Sequence, residues 1–190
     1  MRVIASMLVS FALATPALAE GWKQYADPTY AFAVSFPGDP QVETTTYAAP
    51  DGRPVPARVY SVTQATGIFK MTVADLSENE LEEGAVIDSA IKALSQESEI
   101  KLNIPARVGR VFGRQLSIVG ADGSRSSVAL FYYEGRLYQI EGTSLPPSNA
   151  TADAIRFQQS LIFTDNGSNA PGERGQRRER RRDRGAAQPL

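Results

Sequence analysis

The stretch Val128-Ala129-Leu130-Phe131-Tyr132-Tyr133 decides the fold, because none of its six side chains is charged and all of them are mainly apolar. A strand with one face in water alternates apolar and polar residues, whereas a strand that is apolar on both parities is typical of a sheet centre covered on both faces. Asp122-Gly123, a type I′ hairpin signal, precedes the stretch, and Glu134-Gly135 follows it. The stretch therefore predicts a central strand between two turns.

Further strands are predicted on both sides of this stretch. Their apolar residues recur at every second position, and Pro, Gly and Asp punctuate the intervals between them. The predicted strands are Tyr30–Phe36, Val42–Tyr47, Ala57–Thr63, Ile68–Ala74, Pro105–Gly120 and Arg136–Gly142.

Two helices are predicted between and after the strands. Ser77-Glu78-Asn79-Glu80 has the spacing of a capping box, in which a serine and a glutamate satisfy the first free N–H groups of a helix. The apolar residues that follow fall on one helical stripe, and a second helix is expected after Pro146-Pro147-Ser148. Together with the strands, this predicts an α+β domain in which an antiparallel sheet is covered by helices, in three layers.

The N-terminus predicts export. Arg2, the apolar run Val3–Ala14 and the small residues Ala17 and Ala19 are typical of a signal peptide, residues 1–19, cleaved before Glu20. The run is shorter than the roughly 20 apolar residues of a membrane span, which favours a signal peptide. No transmembrane span is expected after cleavage. An uncleaved anchor is the alternative interpretation. The expected location is the periplasm or the external medium.

Charge divides the remaining chain into two parts. Residues 20–165 carry twelve Lys and Arg against eighteen Asp and Glu, a net charge of −6, whereas residues 166–190 carry seven Arg against three acidic residues, a net charge of +4. The second part lacks apolar residues to bury and is predicted to be a disordered basic tail. Guanidinium groups bind phosphate well. The candidate polyanion-binding residues are Arg177, Arg178, Arg180, Arg181, Arg182 and Arg184.

The partner expected for this tail is anionic lipid or lipopolysaccharide, because export removes the chain from nucleic acid. A solvated tail without a dedicated partner is the alternative. The acidic domain and the basic tail could also attract each other.

The composition excludes several kinds of active site. The chain contains neither His nor Cys, so triads that use histidine, cysteine nucleophiles and typical zinc sites are impossible. An enzyme would be left with paired carboxylates, such as those near Asp75, Glu78 and Glu80, with a serine activated by lysine, or with a tyrosine. The acidic run Glu78–Glu83 lacks the ligand spacing of a calcium loop and is expected to serve a helix start. No cofactor, metal site or catalytic residue is predicted.

Arg114 is the candidate ligand contact on the sheet face. It shares parity with Phe112, Leu116 and Ile118, so an otherwise apolar strand face would present a charge there. An unpaired buried charge is costly, and a partner is therefore expected. The alternative is an arginine whose stem packs on the sheet while its head reaches water.

The chain also resembles PsbP-like or Mog1-like domains. The resemblance begins at Trp22-Lys23-Gln24-Tyr25 with the following strand Tyr30–Phe36 and Pro37-Gly38-Asp39-Pro40, and it closes with Arg136–Ile140, Arg156-Phe157 and Ser160–Phe163. It implies a three-layer α/β/α sandwich. Members of this fold, such as extrinsic photosystem subunits and a small-GTPase partner, act mainly as binding or assembly factors, and no catalytic motif of the family can be transferred here.

These observations predict an exported, non-enzymatic binding or assembly domain with an unknown protein partner and a basic tail that tethers it to an anionic envelope surface. The alternatives are an enzyme that uses carboxylates and a protein that binds a small ligand in a cleft.

Overall fold

The computed structural model describes residues 21–78, 81–96, 98–148 and 151–164. Ten strands form two antiparallel sheets, one of seven strands in the order β3-β4-β5-β9-β8-β7-β6 and one of three strands in the order β1-β2-β10. The elements, in chain order, are β1 (Lys23–Asp27), β2 (Phe32–Phe36), β3 (Gln41–Ala48), β4 (Pro54–Gln64), β5 (Gly67–Asp75), α1 (Glu83–Leu94), β6 (Ser98–Val108), β7 (Val111–Gly120), β8 (Arg125–Tyr133), β9 (Arg136–Ser144), α2 (Thr151–Gln158) and β10 (Ile162–Phe163).

The two faces of the large sheet are covered by different material. On one face, β2 and α2 pack an aromatic core against β4, β5, β8 and β9. On the other face, α1 packs against β4, β5, β7, β8 and β9. The prediction of a strand covered on both sides is confirmed, because Val128 and Leu130 are buried on the α1 side while Ala129 and Phe131 are buried on the α2 side.

The predicted helix-covered α/β/α sandwich is wrong. The molecule is mostly β-sheet with two short helices, and the three-stranded sheet occupies much of the face where a helical layer was expected. The physical reason lies in Phe32, Val34 and Phe36, whose fully buried side chains make β2 a covering strand of its own sheet. Sequence alternation identified this segment as a strand but not the sheet to which it belongs.

The two turns beside β8 also differ from each other. Glu134 and Gly135 both have positive φ, 48° and 73°, as a two-residue type I′ turn requires. Before β8, the Gly120 N–H donates to the Ser124 carbonyl at 3.0 Å, and three residues lie between these two. Of the three described residues in this turn, only Gly123 has positive φ. The turn predicted at Asp122-Gly123 exists, but the prediction that it is a type I′ turn is wrong.

Helix α1 confirms the predicted apolar stripe, with Val86, Ile87 and Ala90 buried. Its predicted start is wrong. The helix begins at Glu83 after Glu82, whose side chain makes no capping hydrogen bond, and the hydroxyl of Ser77 donates instead to Asp75 at 2.6 Å. Asn79 and Glu80 lie outside the described residues. Within the described part of the chain, no helix is long and apolar enough to cross a membrane.

The outer strands of the large sheet, β3 and β6, have different edges. Strand β6 is interrupted by an irregularity in register between Ile100 and Leu102, and it carries Lys101 and Pro105. Strand β3 pairs with β4 in unbroken register from Gln41 to Ala48, and Glu43 is its one charged residue. Beyond the part of β7 that pairs with β8, the β6–β7 hairpin continues as a two-stranded tip around Gly109 and Arg110.

Helix α2 approaches strand β9 closely because Gly142 has no side chain. A Cβ atom at Gly142 would lie 2.7 Å from the Cα atom of Ala154. Real Cβ atoms do not come this close to backbone atoms, so the helix depends on this glycine to reach the sheet.

Candidate functional site

A groove of about 380 Å³ lies where helix α1 ends and the sheet face continues beyond it. This sheet-face groove has its floor on β5, β7, β8 and β9, and Ala93 and Leu94 at the end of α1 form one wall. Its volume falls at the lower end of the range of small-ligand sites. The residues that line it are Ile68, Lys70, Ala93, Leu94, Ser98, Ile118, Gly120, Asp122, Ser124, Ser126, Glu141, Thr143 and Leu145.

The floor of the groove is polar and internally hydrogen-bonded. The Lys70 ammonium lies 3.1 Å from a carboxylate oxygen of Glu141, whose side chain is 18% exposed. The hydroxyls of Ser126 and Thr143 share a hydrogen bond of 2.8 Å. These side chains are neighbours because Lys70 is the register partner of Glu141, and Ser126 is the register partner of Thr143. A ligand would thus meet a fixed charge pair beside a pair of hydroxyls.

The side chains of the groove floor form one continuous network. Ser126 contacts the hydroxyl of Thr143, Thr143 donates to a carboxylate oxygen of Glu141 at 3.5 Å, and Glu141 is held by Lys70. Hydroxyls, a carboxylate and an ammonium together offer donors and acceptors for a polar ligand.

A second polar cluster joins the small sheet to the large one. Asp27, at the end of β1, is 6% exposed and accepts hydrogen bonds from the Tyr60 hydroxyl at 2.5 Å and from the Thr29 N–H at 2.8 Å. The Tyr138 hydroxyl donates to the Tyr30 carbonyl at 2.8 Å. Two tyrosines of the large sheet therefore hold the turn between β1 and β2, and we call this arrangement the tyrosine clamp.

Burial controls the titration of the tyrosine clamp. Burial, followed by the hydrogen bond to Asp27, raises the pKa of Tyr60 far above its ordinary value of 10.0. Burial likewise raises the pKa of Tyr138, to about 12, although Arg136 opposes the rise. Both hydroxyls stay protonated at neutral pH and act as donors. Protonated hydroxyls are what the hydrogen bonds to Asp27 and to the Tyr30 carbonyl require.

Two arginines flank the tyrosine clamp at its outer side. The guanidinium carbons of Arg58 and Arg136 lie 5.6 Å and 5.5 Å from the centre of the Tyr30 ring. Arg58 also lies 3.7 Å from Asp27, and Arg136 lies 3.7 Å from Asp75. Each cation thus has an aromatic ring on one side and a carboxylate nearby, which stabilises the turn around Tyr30.

The predicted group of carboxylates does not converge in the described residues. Asp75 accepts hydrogen bonds from Ser77, and Glu78 is exposed, while Glu80 lies outside the described residues. Burial opposes ionisation of Asp75, but the hydrogen bonds from Ser77 and the positive charge of Arg136 together outweigh it and lower the pKa of Asp75. Among the residues that the structure describes, no three acidic side chains form a group that could hold a metal ion.

Arg114 lies outside the sheet-face groove. It is on the same face of β7 as Ile118, which lines the groove, but four residues away, about 13 Å along the strand, with the buried Leu116 between them. Its guanidinium donates to the side-chain oxygen of Asn103 at 2.7 Å. The expected partner is thus an amide on β6. The arginines Arg177–Arg184 of the tail and the N-terminal residues 1–19 lie outside the described residues.

The aromatic residues at the start of the domain pack within the core. Trp22 contacts Phe69 edge to face at 5.5 Å, and the guanidinium carbon of Arg156 lies 4.3 Å from its ring centre. Tyr25 packs beside Phe36 and Tyr60. These rings are thus partly buried against the core and are not among the residues that line the sheet-face groove.

Sequence reasoning missed the groove, although a signal for it was present. In β5, the polar Lys70 and Thr72 alternate with buried apolar residues, and β9 repeats the pattern with Gln139, Glu141 and Thr143. Two polar faces on strands of one sheet would have predicted an open sheet surface. No local pattern shows that β5 and β9 are neighbours, because α1, β6, β7 and β8 lie between them in the chain.

Comparison with known proteins supports the fold. No protein-family model matches the chain, and no curated protein matches it in sequence. The solution structure of a cyanobacterial PsbP protein from Synechocystis is similar, with a TM-score of 0.51, 11% identity and coverage of 82% of this chain and 98% of that chain. A protein of unknown function from Pseudomonas aeruginosa gives a TM-score of 0.42 at 8% identity, with coverage of 78% and 96%, and carries no argument. The chain therefore has a PsbP-like fold, while the resemblance to Mog1-like domains stays a prediction.

Proposed function

We propose that this chain is an exported, non-enzymatic binding or assembly domain, and that its sheet-face groove takes a short polar segment of a partner protein. The observation that supports this most strongly is the polar floor of the groove, on a sheet whose other face carries the aromatic core. Residues 20–165 form the domain, residues 1–19 its signal peptide and residues 166–190 its basic tail.

The lining of the groove favours a polar peptide. Lys70 and Glu141 offer one charge of each sign 3.1 Å apart, and Ser126 and Thr143 offer hydroxyls beside them. A peptide backbone carries donors and acceptors in equal number, which such a mixed surface can satisfy. The apolar lining at the α1 side, which includes Ile118, would contact an aliphatic side chain of the same segment.

Site-specific photocrosslinking in the native envelope tests this proposal. A photoreactive residue at Ser124, which lines the groove, should capture one protein, whereas the same residue at the exposed Gln24 of β1 should not. The capture should fall when Lys70→Glu replaces the ammonium by a third carboxylate in a groove that already holds Glu141 and Asp122. Equal capture from both positions, or capture that is unchanged by Lys70→Glu, would refute the groove as the partner site. A small molecule retained in native mass spectrometry would favour the cleft alternative instead.

We further propose that the tail tethers the domain to an anionic envelope surface. The support is its guanidinium density, seven Arg within residues 166–190. Each basic residue near an anionic membrane contributes about 1 kcal/mol.

Vesicle flotation tests the tether. Glutamine at Arg177, Arg178, Arg180, Arg181, Arg182 and Arg184 should reduce flotation with phosphatidylglycerol vesicles, and Arg53→Gln in the domain should not. Unchanged flotation of the tail variant would contradict the tether while leaving the groove proposal intact.

A further inference from the structure

The tip of the β6–β7 hairpin exposes an aromatic ring among arginines. Phe112 is 65% exposed, the highest exposure of any large apolar side chain in the described residues. Arg107 is its register partner on β6, and Arg114 lies two residues along the same face of β7. Arg110 occupies the turn. We call Arg107, Arg110, Phe112 and Arg114 the hairpin tip.

The hairpin tip is positively charged within an acidic domain. Between Glu99 and Asp122 the chain has four basic residues and no acidic residue. Lys101 pairs with Glu99, but within the described ranges none of the three hairpin-tip arginines forms a salt bridge with a carboxylate. Residues 20–165 as a whole carry a net charge of −6. An anionic surface would attract this tip and repel the rest of the domain, which orients the molecule tip first.

The other side of the hairpin is anchored to the domain. Ala106, Val108 and Val111 are partly buried and pack against the aromatic core. These residues alternate with Arg107 and Phe112 along their strands, so packing one side holds the other side outward. The exposed phenyl ring is therefore presented by a supported strand pair.

We propose that the hairpin tip binds the headgroup region of an anionic lipid membrane, with Phe112 inserted between lipids and the three arginines on lipid phosphates. Guanidinium groups bind phosphate through paired hydrogen bonds, and an aromatic ring gains by leaving water at the membrane interface. This site is separate from the groove and does not rest on the tail, although the tail would meet the same surface.

An acidic protein is less suited to this site. One phenyl ring and three arginines present much less than the roughly 800 Å² per partner of a stable protein interface. The adjacent edge of β6 cannot readily supply more area by strand addition, because the register irregularity, Lys101 and Pro105 interrupt it. A bilayer needs no complementary fold to receive such a tip.

The first test compares partition of the full chain and its variants into vesicles of phosphatidylglycerol and of phosphatidylcholine alone. Replacing Arg107, Arg110 and Arg114 by Gln should lower partition into the anionic vesicles roughly 100-fold. The charge-matched control replaces Lys23, Lys92 and Arg125 by Gln, removes three positive charges elsewhere, and should lower it less than about threefold. Equal losses in the two variants would overturn the proposal. Circular dichroism checks that both variants keep the native fold.

The second test locates Phe112. Lipids that carry bromine on their acyl chains should quench the tryptophan fluorescence of Phe112→Trp more than that of the unchanged chain, whose one tryptophan is Trp22. Equal quenching would overturn insertion. A fluorescence shift with an acidic peptide and none with vesicles would also overturn it and would favour a protein partner. If only the tail variant loses vesicle binding, the result supports membrane binding by the tail and refutes membrane binding by the hairpin tip.

Discussion

The two faces of the seven-stranded sheet differ where α1 leaves the second face open, and β5 shows this difference on adjacent residues. On β5, the buried Phe69, Met71 and Val73 meet the three-stranded sheet and α2, while Lys70 and Thr72 face the open region beside α1. The covered face is stabilised by aromatic packing and the open face by hydrogen bonds among its own side chains. The difference shows that the layer packed on a sheet face, and not the strand itself, decides whether a position accepts a polar side chain.

The largest effect is expected when an apolar residue of the covered face and a charged residue of the open face are each replaced by the other type. Met71→Lys would bury an unpaired charge on the covered face, where Met71 is fully buried, and should cost more than about 4 kcal/mol in the free energy of unfolding. Lys70→Met, one residue away on the open face, should change it by about 1 kcal/mol. Urea unfolding followed by circular dichroism measures both. Similar losses would show that the faces do not differ as described.

Helix α2 offers the next comparison. Phe157 is fully buried and lies 4.9 Å from the ring of Phe36, so Phe157→Ala should cost about 3–5 kcal/mol through lost contacts and a cavity. Ile155→Ala, at an exposed position of the same helix, should cost less than about 1 kcal/mol. Thermal unfolding would show the ranking. A larger loss for Ile155→Ala than for Phe157→Ala would show that the opposite face of α2 packs on the sheet.

The tyrosine clamp should respond to a single hydroxyl and to alkaline pH. Tyr60→Phe removes a donor from the buried Asp27 and should cost about 1–3 kcal/mol at pH 7. Because folding raises the pKa of Tyr60 and of Tyr138, the latter to about 12, stability is fully present below pH 10 and falls as the pH rises above it. The Phe variant should lose less stability between pH 10 and 12 than the unchanged chain. An identical pH dependence in both proteins would contradict the assigned burial of Tyr60.

The last comparison sets two glycines side by side, and one of them gives the smallest effect. Gly142→Ala should cost about 1–3 kcal/mol, since its Cβ atom would meet the backbone of Ala154. Gly84→Ala in α1, where a Cβ atom would meet nothing within 4 Å, should stabilise by about 0.5–1 kcal/mol. Chemical unfolding curves give both signs, and a stabilising Gly142→Ala would show that α2 lies farther from β9.

Local patterns predicted much of the fold. Alternation identified β2 to β5 and β9, the doubly apolar run identified β8, and the helical stripe identified α1. The patterns failed where partners distant in sequence or local hydrogen bonds decide the outcome. Ser77 bonds to Asp75 and leaves the start of α1 to Glu83, and the predicted strand Pro105–Gly120 is divided between β6 and β7 by the turn at Gly109.

The candidate site was less predictable than the fold. Arg114 donates to Asn103, which lies on β6 in a part that was not predicted as a strand, and a ligand contact at Arg114 stays a prediction. The pairing of Lys70 with Glu141 depends on the neighbouring positions of β5 and β9, which no local spacing reveals. Charge patterns alone cannot supply strand order.

The unequal edges of the large sheet bear on self-association. Strand β6 has an irregular register, a lysine and a proline, all of which discourage another strand from joining. Strand β3 offers an unbroken run from Gln41 to Ala48 with a single charge. Two copies that associate by strand addition would therefore meet through their β3 edges and stop at a pair, because the β6 edges left at either end resist further growth.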